Sequence, residues 1–188
     1  MLTLNKNLAR KIEGNVTIIE YNDYGIISIR YRQKKVLSNS KIQKLLGTSI
    51  PAPNEVIFLK DSFLAWMSTD ELWLLTNTKL KDKIFRRLSK TAKPLENIVS
   101  IDLSASRTLF SLNGVMWRNI LAKGSPVDVS KNALKPGNIR RTRLGLVPVA
   151  FFCIDAENAI LISNRSVRDY VFNWLEQASK DGSTPDYF

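Results

Sequence analysis

Proteins draw acid–base, nucleophilic and metal chemistry from histidine, cysteine and paired carboxylates; this chain has no histidine and one cysteine, Cys153. The lack of histidine removes the usual general base, the commonest metal ligand and every Ser-His or Cys-His dyad. Cys153 sits inside the apolar run VAFFCI with no neighbouring base, which reads as a buried core thiol and not a nucleophile. A lone cysteine allows no intrachain disulfide and no ordinary structural zinc site, and fits a reducing cytoplasm.

Two carboxylate pairs remain. Asp70-Glu71 precedes Trp73, and Asp155 and Glu157 occupy the matching place in the second half. Turn aspartates usually close their own turn on nearby backbone N–H groups, whereas acid–base work needs a cleft that tunes the pKa. Both pairs are read as turn formers. Glycine is scarce, and neither a GxGxxG nor a GxxxxGK[ST] phosphate loop is present. The expectation is a chain with no catalytic, cofactor-binding or metal-ligating residue of its own.

The elements that would position any site are written twice. Leu74–Leu88, LLTNTKLKDKIFRRL, aligns without a gap on Leu161–Leu175, LISNRSVRDYVFNWL. Each copy is an apolar strand end, a Thr/Ser-Asn turn and an amphipathic helix, which marks a duplicated unit. Asp82 and Asp169 recur at matched places, and only Asp82 has a cation four residues on, Arg86, for an i,i+4 pair. Strands are expected near 16–21, 25–31, 56–59, 63–67 and 72–76 in the first half. Those of the second half are expected near 98–103, 108–112, 139–144, 148–154 and 159–162. Helices are expected over SKIQKLL, capped by Ser38 or Ser40 and stopped by Gly47, and over 79–90, 115–123 and 165–178. Alternation in IISIR suggests one wet face.

Strands outnumber helices and connections are short. The fold class is α+β: two similar ferredoxin-like (split βαβ) lobes with largely antiparallel sheets and helices on one face. Pro94 is read as the joint. The organisation expected is an N-terminal arm over 1–14, a first lobe over 15–95, a second over 96–179 and a loose tail over 180–188.

The formal net charge is +11. The basic residues are spread over Arg30 to Lys35, Lys79 to Arg87 and Arg140 to Arg143, with no basic stripe interleaved with aromatics. This points to an acidic protein partner and away from nucleic acid. No run approaches the ~20 apolar residues of a membrane span, and the N-terminus lacks a secretory h-region. Trp66, Trp73 and Trp117 are candidate interface anchors, while Trp174 is placed in the core. Arg140 and Arg141, adjacent on a strand, must point to opposite faces, so one of them meets a partner or an acidic group.

Five strings carry a resemblance: Ser106-Arg107 leading to Leu112-x-Gly114, ILAKGSPVDV (Ile120–Val129), LGLVPV (Leu144–Val149), LISNRSVRDYVFNWLEQAS (Leu161–Ser179) and DELWLL (Asp70–Leu75). As a set they resemble the gamma subunit of heterotetrameric sarcosine oxidase, over about Val16 to Ser179. The resemblance implies a four-subunit flavoenzyme that oxidises sarcosine to glycine, yielding methylene-tetrahydrofolate and hydrogen peroxide. It implies partners in the alpha, beta and delta subunits. FAD, FMN, NAD, tetrahydrofolate and zinc are then expected on those subunits and not on this chain. The alternatives are the same role in a complex acting on N-methylglutamate or another methylated amine, and a stand-alone folate-binding module with Asp128 near Trp117 facing the pterin. The second copy of the repeated helix, with Tyr170 and Trp174, is expected to pack more deeply than the first, which has Lys83 and Arg87 there.

Overall fold

The structure is a computed structural model that describes residues 8–32, 40–92 and 97–183. The chain opens with strands β1 (Leu8–Ile12) and β2 (Thr17–Tyr21). Next come β3 (Gly25–Tyr31), helix α1 (Ser40–Leu46), β4 (Val56–Phe58), β5 (Ser62–Ser68) and β6 (Glu71–Thr76). Helix α2 (Thr78–Ala92) leads to β7 (Ile98–Asp102). The second half adds β8 (Arg107–Asn113), α3 (Trp117–Ala122), β9 (Ile139–Leu144), β10 (Val147–Cys153), β11 (Asn158–Asn164) and α4 (Arg168–Ala178).

Two compact units result. The first contains Asp23–Ala105, and the second joins Asn7–Asn22 to Ser106–Phe188. In the first, the sheet runs β4-β5-β6-β3-β7 with every pair antiparallel. Strands β3 and β5 are therefore parallel to each other with β6 between them, and β6 and β7 are parallel with β3 between them. These are two interlocked split βαβ motifs, the ferredoxin-like arrangement, with β4 added at one edge. Ile27, Ile29, Leu64, Leu72 and Leu74 form one apolar face, joined in the core by Leu88 of α2 and Ile98 of β7. The wet face expected opposite them is absent at Ser28, which is buried.

The second unit repeats the plan with one substitution. Its sheet runs β1-β2-β8-β11-β10-β9, again antiparallel throughout. Strands β8, β10 and β11 take the places of β3, β5 and β6. The place beside β8 that corresponds to β7 is filled by β2, from the start of the chain. Among the described residues no strand follows α4, and the N-terminal hairpin occupies that edge.

This pairing corrects the expected boundaries. Residues 17–21 bond to β8 of the second unit, whereas 98–102 bond to β3 of the first. Hydrogen bonding across sequence, not the composition break at Pro94, decides which unit a strand joins. Residues 8–12 are likewise a strand and not an arm, anchored by Arg10 on Glu20. The expected tail is tied down as far as Ser183, whose hydroxyl donates to Ala178 O at 2.9 Å. Lys34, Lys35, Ser38, Pro94 and 184–188 lie outside the described residues.

The two copies of the repeated helix start differently. Asn77 caps α2, its Oδ1 accepting the Leu80 N–H at 2.9 Å. Asn164, its counterpart, makes no side-chain cap, and a 3-10 turn over Arg165–Val167 precedes α4. Asn77→Ala is therefore expected to cost ~1 kcal/mol and Asn164→Ala only a few tenths, read as shifts in urea midpoint; equal shifts would count against this reading. The expected difference in depth is present. Val171, Phe172, Leu175 and Ala178 of α4 are buried, against Leu88 of α2, where Ile84 and Phe85 are half-buried.

Candidate functional site

The second unit is organised around a buried cation. Arg118, on α3, is 4% exposed. Its Nη1 donates to Val129 O at 2.5 Å and Ser130 O at 3.3 Å, and its Nη2 to Leu134 O at 3.0 Å. The guanidinium lies over the Trp117 ring, 4.2 Å from its centroid. No carboxylate pairs with it among the described residues. Backbone carbonyls and an aromatic face replace hydration, and the planar fork of arginine suits that task. The outcome is a fixed 129–134 segment leading into β9.

Cys153 lies beneath this cluster. Arg118 Nη2 donates to its Sγ at 3.4 Å, and the thiol donates to Asp155 O at 3.1 Å. Burial pushes the thiol pKa up, with Arg118 offsetting part of the rise. The structure thus places Cys153 in the core.

Three of the strings singled out in the sequence meet on one surface of this unit. Gly124, after α3, and Gly145, in the β9–β10 turn, are joined by a hydrogen bond from Gly145 N to Gly124 O at 2.8 Å. The Trp174 ring covers Gly124, and the Tyr170 hydroxyl covers Gly145; a Cβ at either glycine would fall well inside the 3.0 Å that real Cβ contacts keep. Gly145 also has φ +58°, in the left-handed region that favours glycine. Lys123 Nζ donates to Ala178 O at 2.7 Å and Ser183 Oγ at 2.8 Å, so its ammonium faces the negative end of α4. Burial holds its pKa below the usual lysine value.

A cleft of about 610 Å³ opens here, lined by Lys123, Tyr170, Asn173, Trp174, Gln177 and Ser183. Beside it Leu146, at the tip of the turn, is 88% exposed and Tyr170 is 41% exposed. Trp174 is half-buried at the rim, which corrects its expected place in the core. An apolar tip and an aromatic-walled cleft on rigid elements suit docking.

The sequence candidates are distributed differently. Trp117 is fully buried and its indole donates to Ala156 O at 3.1 Å. Trp73 is buried, donating to Glu71 Oε1 at 2.8 Å. Both are corrected from interface anchors to internal residues, because each ring is enclosed and its N–H satisfied. Trp66 is half-buried against the core of the first unit. Arg140 and Arg141 do point to opposite faces. Arg140 donates to Ile139 O at 3.0 Å and Ala133 O at 2.6 Å, and after the Ser130 hydrogen bonds its charge is a lesser cause of the lowered Asp128 pKa; Arg141 is exposed. Asp128 is an exposed turn residue that accepts the Ser130 N–H at 2.8 Å. With Trp117 buried, the two form no pterin pocket. Asp155 closes its turn as expected, accepting from Glu157 N at 2.9 Å and Asn158 Nδ2 at 2.8 Å.

Two buried carboxylates escaped the sequence reading. Glu71 begins β6 instead of forming a turn; it accepts from Ser28 Oγ at 2.6 Å, with Arg30 Nε at 3.6 Å. Glu20, 1% exposed, is held by Arg10 Nε at 2.6 Å. Arg10 also reaches Asp169 at 2.9 Å and lies 4.0 Å from the Phe172 ring centroid. The available signal was a charge in phase with apolar neighbours, Glu20 with Val16 and Ile18, and Glu71 with Trp73 and Leu75 on the face opposite Leu72 and Leu74. Among the described residues, no group of three or more His, Cys, Asp or Glu side chains is arranged to hold a metal ion.

The fold is shared with two solved structures. One is the heterotetrameric sarcosine oxidase from Corynebacterium sp. U-96 in complex with pyrrole 2-carboxylate, matched with a TM-score of 0.79 and 21% identity over 95% of this chain and 91% of that one. The other is the glycine cleavage system aminomethyltransferase T from Bartonella henselae, with a TM-score of 0.59 and 15% identity over 84% of this chain and 45% of that one. No curated protein sequence matches the chain. The family model described as sarcosine oxidase, gamma subunit family, matches residues 36–181. The chain belongs to that family.

Proposed function

We propose that this chain is the gamma subunit of a sarcosine-oxidase complex and contributes assembly, not chemistry of its own. The complex would demethylate sarcosine oxidatively to glycine, with methylene-tetrahydrofolate and hydrogen peroxide as products. Its alpha, beta and delta subunits would carry FAD, FMN, NAD, tetrahydrofolate and zinc. The observation that supports this reading best is the convergence of KGSP, LGLVPV and DYVFNWL on the Gly124–Gly145–Trp174 junction. Lys123 and Ser183 there are occupied in holding the backbone at the end of α4, and the exposed side chains of Leu146 and Tyr170 offer contact area. Trp66 and Arg141 remain candidates for further contact.

Co-expression with alpha, beta and delta chains followed by size-exclusion chromatography tests the proposal. Co-elution in one complex with sarcosine-dependent peroxide formation is expected, and the isolated chain is expected to be colourless. A chain that always elutes alone, or one that purifies with flavin absorbance, would overturn it. Turnover of the assembled complex on a panel of methylated amines fixes the substrate.

A further inference from the structure

Helix α2 carries more positive charge than it compensates. Lys79, Lys83, Arg86, Arg87 and Lys90 are exposed, and none of them has an ion-pair or hydrogen-bond partner among the described residues. The one acid of the helix, Asp82, lies 2.9 Å from Lys81, whose ammonium also holds Asp102 at 2.6 Å. The expected Asp82–Arg86 pair does not form. Lys79, Lys83, Arg87 and Lys90 follow one another along a single face, where like charges four residues apart repel. The first turn contains no acid, so Lys79 and Lys81 also face the positive end of the helix dipole.

The arrangement is specific to this copy. In α4 the places of Lys83, Arg87 and Lys90 are taken by Tyr170, Trp174 and Gln177. The duplicated helix was thus turned to two uses. In the first unit, Arg87 and Lys90 line a groove of about 410 Å³ with Lys44 of α1, floored by Leu45 and Thr91. The stripe from Lys79 to Lys90 runs on the order of 16 Å along the helix, which matches about five residues of extended chain. A partly apolar floor without an aromatic face suits a peptide and gives a nucleobase nothing to stack on.

We infer that this groove docks an acidic, extended segment of a partner subunit. The inference rests on the subunit reading above. Lys44, Arg87 and Lys90 in the groove, and Lys79 and Lys83 further along the same helix face, steer an acidic segment into it and set its register.

The test compares the co-expressed complex containing the wild-type chain with one containing Lys83→Glu/Arg87→Glu/Lys90→Glu. A control variant, Lys11→Glu/Lys60→Glu/Lys180→Glu, makes the same charge change at other exposed lysines. Wild type and control are expected to assemble alike, with affinity that falls as salt rises. The groove variant is expected to bind the other subunits roughly tenfold or more weakly and with a flatter salt dependence. Circular dichroism and thermal unfolding verify that it is folded, and Lys83→Gln/Arg87→Gln/Lys90→Gln is expected to fall between. A folded groove variant that assembles as wild type does, with the same salt response, overturns this inference and leaves the subunit reading standing. A wild-type chain that fails to assemble overturns both. Single-stranded RNA that binds the wild type at physiological salt and blocks assembly would assign the groove to nucleic acid and also overturn it.

Discussion

Arg118→Met is expected to destabilise the second unit by ~3 kcal/mol, since hydrogen bonds to a charged group contribute more than neutral ones and the carbonyls left behind are costly to bury. The methionine would fill much of the volume, so the loss isolates the donors. Val129 O and Leu134 O, now bonded at 2.5 and 3.0 Å, would have no partner, and the Trp117 face would lose its cation. Arg118→Lys keeps the charge but lacks the planar fork, and is expected to recover about half of the loss. Urea unfolding monitored by tryptophan fluorescence measures both. A wild-type midpoint for Arg118→Met would mean that the 129–134 segment is held by its other contacts. The change acts on a loop between α3 and β9, so weaker assembly is the expected functional effect.

The glycine junction is the other sensitive point. Gly124→Ala is expected to cost ~2 kcal/mol by overpacking against Trp174. Gly145→Ala is expected to cost as much through Tyr170, plus ~1 kcal/mol for an L-residue in the left-handed region. A Cβ at Gly124 meets the six-membered ring of Trp174, and one at Gly145 meets the Tyr170 hydroxyl. The rings must therefore swing out of the cleft that they line. The decisive measurement is a double-mutant cycle. Trp174→Ala alone removes packing, and Gly124→Ala in that background should cost much less than in the wild type. Additive effects would show that the glycine and the ring are not in contact. Both glycine variants are expected to shift tryptophan emission and to weaken co-elution with the other subunits.

Much of this was legible because it is local. The strands over 25–31 and 139–144 and the helix over 40–46 fall within their expected ranges, and Gly47 has φ +75° at the stop of the helix. Each depends on short-range periodicity, a turn residue or a cap. The fold class followed from the order of these elements, and the repeat located the matched helices. The misses depend on contacts distant in sequence. β1 carries Arg10 and Lys11 in five residues and looks like a solvated arm; it becomes a strand because β2 offers it an edge. Glu71 reads as a turn former and Glu20 as one residue of a strand; both are buried, where Ser28 and Arg10 reach them. Trp117 and Trp174 were exchanged between surface and core, since an aromatic on an amphipathic helix serves either place until its neighbours are known.

By itself, the sequence determined the duplicated α+β plan, the lack of a histidine-based site and the family strings, all of which are properties of composition and near neighbours. Tertiary structure decided which strand closes each sheet, because a strand is assigned by the partner that satisfies its backbone hydrogen bonds and not by its place in the chain. It also brought Gly124, Gly145, Tyr170 and Trp174 together, since a close approach of ring to backbone needs two segments far apart in sequence to present bare backbone and a flat side chain at one point. The basic residues of α2 were visible from the start; that no acid among the described residues compensates Lys83, Arg87 or Lys90 became evident only once their neighbours were in place.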